Sequence, residues 1–224
     1  MAKVYTGAYG TFKNRFKDAV QYKWRGIIVG REYNDSPANP NTAKQKESRA
    51  KFKLLSSMAA ALKTVLRFTL QDYAVSKKTT LSGQFLKQNY GAVTIIGQDR
   101  HAEADYEEIA LTAPKSALTP VSLGEASFST PKRVVVPIEN GYIDTNVNSA
   151  SDRVFLVVYN TVLGLAVMSD GSATRSDSEA KLDVPGNWQG DYVEVWAFLK
   201  AADNTPHDPK AFSATLYAGT GTIA

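Results

Sequence analysis

The 224-residue chain can form one large or two small domains, and its 43% hydrophobic and 21% charged content suffices for a core. It has no cysteine, which excludes disulfides, thiolate zinc sites and cysteine nucleophiles. The net charge of +4 hides a split: residues 1–100 hold 18 Lys+Arg against 6 Asp+Glu, a net of +12, whereas residues 101–224 hold 8 against 16, a net of −8. No run reaches the roughly 18 apolar residues that span a bilayer. The opening Met1–Gly7 lacks the apolar stretch of a secretory signal. The expectation is a soluble chain, cytoplasmic when synthesised, with no membrane span.

Residues 1–33 read as short strands. Ala19–Tyr22 and Ile27–Val29 are apolar runs flanking Lys23-Trp24-Arg25-Gly26, where the glycine permits a tight turn. Lys13, Arg15, Lys17, Lys23, Arg25 and Arg31 interleave with aromatic residues that include Trp24. Basic groups mixed with aromatics suit phosphate contact and base stacking, and equally suit a strand layer whose charged side faces water. Residues 34–41 are a turn-rich connector.

Thr42 to about Tyr73 predicts a long central helix. Thr42 and Gln45 are spaced as a capping box. Phe52, Leu55, Ala59, Leu62, Leu66 and Leu70 form one apolar row; Leu54, Met58, Ala61, Val65 and Phe68 form a second. The first turns carry Lys44, Lys46, Arg49, Lys51 and Lys53, so one end is basic while the rest packs. Leu81–Tyr90 predicts a shorter helix, with Ser82 as cap and Gly91 closing it. Val93–Ile96 is a brief strand.

From about Tyr106 the pattern changes to period two or short apolar runs. Expected strands are Glu108–Thr112, Ala126–Ser129, Arg133–Ile138, Val154–Tyr159, Leu165–Met168, Ala180–Val184, Tyr192–Leu199 and Phe212–Ala218. Asn140-Gly141 and Asp170-Gly171 are hairpin dipeptides. About seven such strands without helical crossovers fit an immunoglobulin- or fibronectin-like sandwich. The predicted class is α+β: a basic N-terminal region of strands and two helices over 1–103, then an antiparallel β-sandwich over 104–224.

No catalytic set is legible. His101 lies in an Asp/Glu-rich stretch whose spacing matches no standard metal site and reads as a solvated acidic linker. His207 reads as a loop residue between Pro206 and Pro209. Asp170-Gly171-Ser172 lacks the second glycine of a nucleophile elbow, and Gly219-Thr220-Gly221-Thr222 has no following lysine or helix for a phosphate loop. Asp170, Asp177 and Asp183 are too dispersed for a calcium loop. Trp188, Tyr192 and Trp196 could line a sugar-binding face, but core or hairpin packing suits them better.

Several segments resemble an uncharacterised domain-of-unknown-function family of Bacteroidetes and their phages. They are Gly7, Phe12, Trp24-Arg25-Gly26, Arg31, the run from Asn39 to Gln45 and Arg49–Phe52, then Leu156–Asn160, Ala173–Asp177, Trp188–Asp191 and Leu216–Gly219. Residues 98–150 match only loosely. The resemblance implies a family but no activity, and it transfers no functional residue.

The expected function is therefore non-enzymatic, with no cofactor and no metal. It is a structural or assembly protein, most concretely a virion component of a Bacteroidetes phage or phage-derived element, with copies of itself or other structural proteins as partners. The runner-up is a nucleic-acid-binding accessory protein using the basic half. A surface or carbohydrate-binding module is the third class, and it would need an export signal.

Overall fold

The computed structural model describes residues 2–3, 14–16, 19–24, 26–36, 41–97, 100–114, 118–139, 149–202 and 210–224. The chain divides into two compact units, Met1–Ala43 and Lys44–Ala224. The first holds an antiparallel sheet of β1 (Ala2–Lys3), β2 (Asn14–Phe16), β3 (Ala19–Trp24) and β4 (Ile27–Glu32), in the order β1-β4-β3-β2. Gly26 turns β3 into β4 at φ +80°, as its position between the apolar runs predicted. Val29 and Gln21 are its buried side chains among the described residues.

The second unit begins at the second residue of α1 (Ala43–Ala61), which α2 (Lys63–Ser76) follows. They replace the single long helix with two, broken only at Leu62. The hydrogen-bond ladder runs through the break: Leu62 N donates to Met58 O, and Leu66 N donates to Leu62 O. Burial starts at Leu55 and continues through Met58, Leu62, Leu66 and Leu70, close to the expected rows. Phe52 is the exception, 60% exposed because the first turns of α1 run ahead of the core. In α3 (Leu81–Asn89) the cap is Thr80, not Ser82: its hydroxyl accepts from Gly83 N at 3.0 Å. Gly91 takes no left-handed conformation; Ala92 N instead donates to Asn89 O.

A hairpin of β5 (Val93–Ile96) and β6 (His101–Ala104) follows. β7 (Ser122–Leu123), β8 (Arg133–Glu139) and β11 (Glu179–Asp183) form one antiparallel sheet, in the order β11-β8-β7. β9 (Arg153–Asn160), β10 (Leu165–Met168), β12 (Tyr192–Lys200) and β13 (Leu216–Thr222) form another, in the order β10-β9-β12-β13. The class is thus α+β with antiparallel sheets.

The four-stranded sheet is buried on both faces. On one, Val154, Leu156 and Val158 of β9 with Val193, Val195 and Leu199 of β12 share a core with Val134 and Val136 of β8 and Leu182 of β11. On the other, Phe155, Val157, Tyr159, Trp196 and Phe198 share a core with Leu55, Met58, Leu62, Leu66 and Phe85 of the helices. A strand buried on both faces reads as a continuous apolar run, which explains Val-Phe-Leu-Val-Val-Tyr in β9. The expected boundary between residues 103 and 104 falls inside the second unit. The helices take one face of the sheet as their core, so both belong to one compact unit.

Four expectations need correction. Ala126–Ser129 forms no strand and contributes an isolated bridge, in which Ser127 and Val135 exchange backbone hydrogen bonds. Glu108–Thr112 is an extended segment outside any ladder, and side chains meet its backbone needs. Asn89 Oδ1 accepts from Ala110 N at 2.7 Å, Gln88 Nε2 donates to Ala110 O at 2.7 Å, and Thr215 Oγ1 accepts from Leu111 N at 2.8 Å. The last strand starts at Leu216 rather than Phe212, because Ser213 is buried and Leu199 N donates to its hydroxyl. Asp170-Gly171 connects strands of different sheets and is not a hairpin. Gly171 adopts φ +74°, and a Cβ there would sit 2.3 Å from the Phe155 ring. The hairpin after β9 turns at residues 161–164, with Gly164 at φ +64°. Asn140-Gly141 lies outside the described residues.

Candidate interaction surface

Charge is laid out unevenly over the second unit. Residues 44–100, the helices and β5, hold 11 Lys+Arg and 3 Asp+Glu, a net of +8. Residues 101–224 hold 8 and 16, a net of −8, so the two parts cancel. Residues 1–43 hold 7 and 3, which supplies the whole chain's +4.

The first turns of α1 concentrate the basic charge. Lys44, Lys46, Arg49 and Lys53 are exposed. Lys51 is half-buried, with its ammonium 5.1 Å from the Tyr90 ring centroid, a cation–π contact. Tyr90 also reaches Ser48 through its hydroxyl, at 3.5 Å. One turn before Lys51 on α1, Glu47 pairs with Arg100 at 3.4 Å. Of the N-terminal candidates, the two with described side chains, Lys23 and Arg31, are not gathered in this way. Lys23 stands opposite Ile28, on one face of its sheet, and Arg31 stands opposite Val20, on the other. Both are exposed. Arg15 falls on β2 and Trp24 on β3, by backbone only. Lys13, Lys17 and Arg25 lie outside the described residues.

The acidic stretch after Arg100 is structured, not a linker. His101 and Glu103 lie on the outward face of β6, alternating with buried Ala102 and Ala104. Asp105 begins a turn, with its N donating to Ala92 O at 2.7 Å and its carboxylate accepting from Glu107 N. Glu103, Asp105, Glu107 and Glu108 are all exposed. The sequence reads as a linker here because alternating Ala and Glu is a weak strand signal.

The buried polar groups serve the fold. Asp152 and Arg175 form an ion pair at 3.2 Å with side chains 0% and 4% exposed. Ser149 N donates to Asp152, and Arg175 donates to Thr119 O. Such a pair needs these extra hydrogen bonds to offset desolvation. Glu194 is buried on β12 on the aromatic face, accepting from the Tyr217 hydroxyl at 2.6 Å. Burial pushes its carboxyl up, against the hydroxyls of Tyr217 and Thr220, which pull it down. Burial, with Tyr159 and Glu194 nearby, pushes the Tyr106 hydroxyl up to about 12.

Trp188 and Trp196 do not share a face. Trp188 lies in the aliphatic core and Trp196 in the aromatic one, where its Nε1 donates to Tyr106 O. They cannot line one sugar-binding surface together with the exposed Tyr192. A cleft of about 770 Å³ runs between α2 and the 210–212 segment, floored by Phe68, Met168 and Phe212. Asp72, its one carboxylate among the lining residues, is paired with Lys210 at 3.0 Å. Asp170 and Asp177 bond neighbouring backbone N–H groups, and Asp183 pairs with Arg133. Among the described residues, no three His, Asp or Glu side chains are gathered to hold a metal. His207 lies outside them. No described helix is long and apolar enough to cross a membrane.

Fold and surface thus define an α+β protein with charged outer faces and a doubly buried central sheet. The chain belongs to a family of unknown function, DUF6266, whose model matches residues 11–209. No curated protein and no solved structure matches it.

Proposed function

We propose that this is a non-enzymatic structural or assembly protein that associates with copies of itself. The observation that carries this is the neutrality of Lys44–Ala224 as a sum of +8 and −8. A body with equal and opposite charged parts is complementary to itself, whereas a nucleic-acid-binding body carries an excess of positive potential. The immunoglobulin- or fibronectin-like assignment of the sandwich belongs to the same proposal. Its support is strand order: the first, second and fifth strands from β7 onward make one sheet, and the third, fourth, sixth and seventh the other. That is the partition of an immunoglobulin-type sandwich whose fourth strand joins the sheet of its third. A place in a phage virion rests on the family resemblance alone.

Sedimentation of nuclease-treated protein tests the proposal. We expect an oligomer near 0.1 M salt that dissociates in part toward 1 M, as the screening length falls from about 10 Å to about 3 Å. A monomer at every salt and concentration overturns it. The nucleic-acid reading draws on the exposed lysines of α1, and a salt-dependent DNA shift by monomeric protein would put it first.

A further inference from the structure

We infer that the start of α1 and the acidic turn after β6 form one self-complementary surface, through which two copies dock about a two-fold axis. This rests on the self-association proposed above and names the surface. The two charged patches are neighbours. Arg100, the residue before β6, pairs with Glu47 in the second turn of α1. The far end of the hairpin is held to the same helix: Asp105 N bonds Ala92 O, two residues beyond Tyr90, and Tyr90 contacts Ser48 and Lys51. A four-residue strand spans only about 14 Å. Basic and acidic patches therefore lie on one side of the unit rather than at opposite ends.

This placement decides the symmetry. Opposite charges at opposite ends would build open chains. Opposite charges side by side let a two-fold axis set each basic patch against the partner's acidic one, twice per dimer. Among the described residues, Lys44, Lys46 and Lys53 make no ion pair, and neither do Glu103, Asp105, Glu107 and Glu108. The same region leaves Phe52, Tyr90 and Ile96 exposed at 60%, 43% and 48%. Exposed surface ion pairs alone contribute little, so apolar contact from these side chains gives the interface the strength that charge then orients.

A charge-swap experiment tests this on the full chain. One variant carries Lys46→Glu and Lys53→Glu; the other carries Glu103→Lys, Glu107→Lys and Glu108→Lys. All five positions are exposed, so each variant should keep the wild-type circular dichroism. At about 0.1 M salt we expect the wild type to sediment as a dimer and each variant alone to dimerise at least tenfold more weakly. An equimolar mixture of the two should recover the dimer, because each reversed patch then meets an opposite one. A wild-type dimer indifferent to both reversals overturns the surface while leaving self-association standing. A wild-type mass that climbs without limit as concentration rises overturns the two-fold arrangement. A wild-type monomer throughout overturns both proposals, and a monomer that binds duplex DNA replaces them with the nucleic-acid reading.

Discussion

The two faces of the β10-β9-β12-β13 sheet are packed in different chemistries. Toward β8 and β11 it presents Val, Leu and Ala; toward the helices it presents Phe155, Tyr159, Trp196 and Phe198. The aliphatic face meets another pleated sheet, where small branched side chains interdigitate across about 10 Å. The aromatic face meets helices, whose ridges leave deeper and less regular gaps. Rings fill them at varied tilts: Phe68 lies 5.0 Å from Phe155 and 5.4 Å edge-on to Phe212, while Phe155 and Phe198 stack at 5.5 Å. The aromatic face also carries polar tips, so its hydrogen bonds to Tyr106 and Glu194 fix orientation as well as volume. One sheet thus belongs to two cores, and neither core is complete without it.

The sharpest way to break this comparison is to remove one partner of the sheet. A fragment of residues 104–224 lacks the helices and exposes the whole aromatic face. We expect it to lose the cooperative thermal transition of the full chain. A soluble monomeric fragment with a cooperative melt would show that the sandwich is self-sufficient and that the helices merely rest on it.

Single side chains give a smaller effect and compare the faces directly. Trp196→Ala should cost about 3–5 kcal/mol and Leu156→Ala about 2–5 kcal/mol in denaturant unfolding, both being 0% exposed. Trp196→Phe should recover much of the Trp196→Ala loss but not the bond to Tyr106 O. If Trp196→Ala cost less than 1 kcal/mol, the aromatic layer would be loosely packed and the asymmetry between faces only compositional.

The smallest effect concerns Glu194, the buried carboxyl on the aromatic face. Burial raises its pKa in the folded state, so the fold prefers the protonated form. Its contribution to stability is then greatest below the ordinary carboxylate pKa, and it declines as pH rises through the raised folded value. Glu194→Gln keeps an acceptor for the Tyr217 hydroxyl and removes the charge. We expect its melting temperature to match the wild type in acid and to exceed it near neutral pH. A variant less stable than the wild type at neutral pH would mean that the hydroxyls of Tyr217 and Thr220 outweigh desolvation.

Much of this architecture was legible locally. Arg133–Ile138, Val154–Tyr159, Leu165–Met168, Ala180–Val184 and Tyr192–Leu199 all mark strands to within a residue at each end, because strand propensity and apolar runs coincide there. The helices from Ala43 to Ser76 followed from the spacing of Leu55, Met58, Leu62 and Leu66. The basic start of α1 was equally plain, because charge needs no partner to be seen. The neighbouring acidic turn was not, because its position depends on Arg100 meeting Glu47 and on Asp105 meeting Ala92.

By itself, then, the sequence determined the kinds of element and their order, since period, turn residues and charge act over a few positions. It also alternated side-chain size along Val193-Glu194-Val195-Trp196-Ala197-Phe198, a sign of two unlike faces within an almost continuously apolar strand. Only the tertiary structure decided what covers each face, that the helices and the sandwich form one unit, and that side chains from distant positions bond the Ala110–Thr112 backbone. The physical reason is that burial and hydrogen-bond satisfaction are settled by contacts between residues far apart in the chain, as Asn89 with Ala110 and Leu111 with Thr215 show.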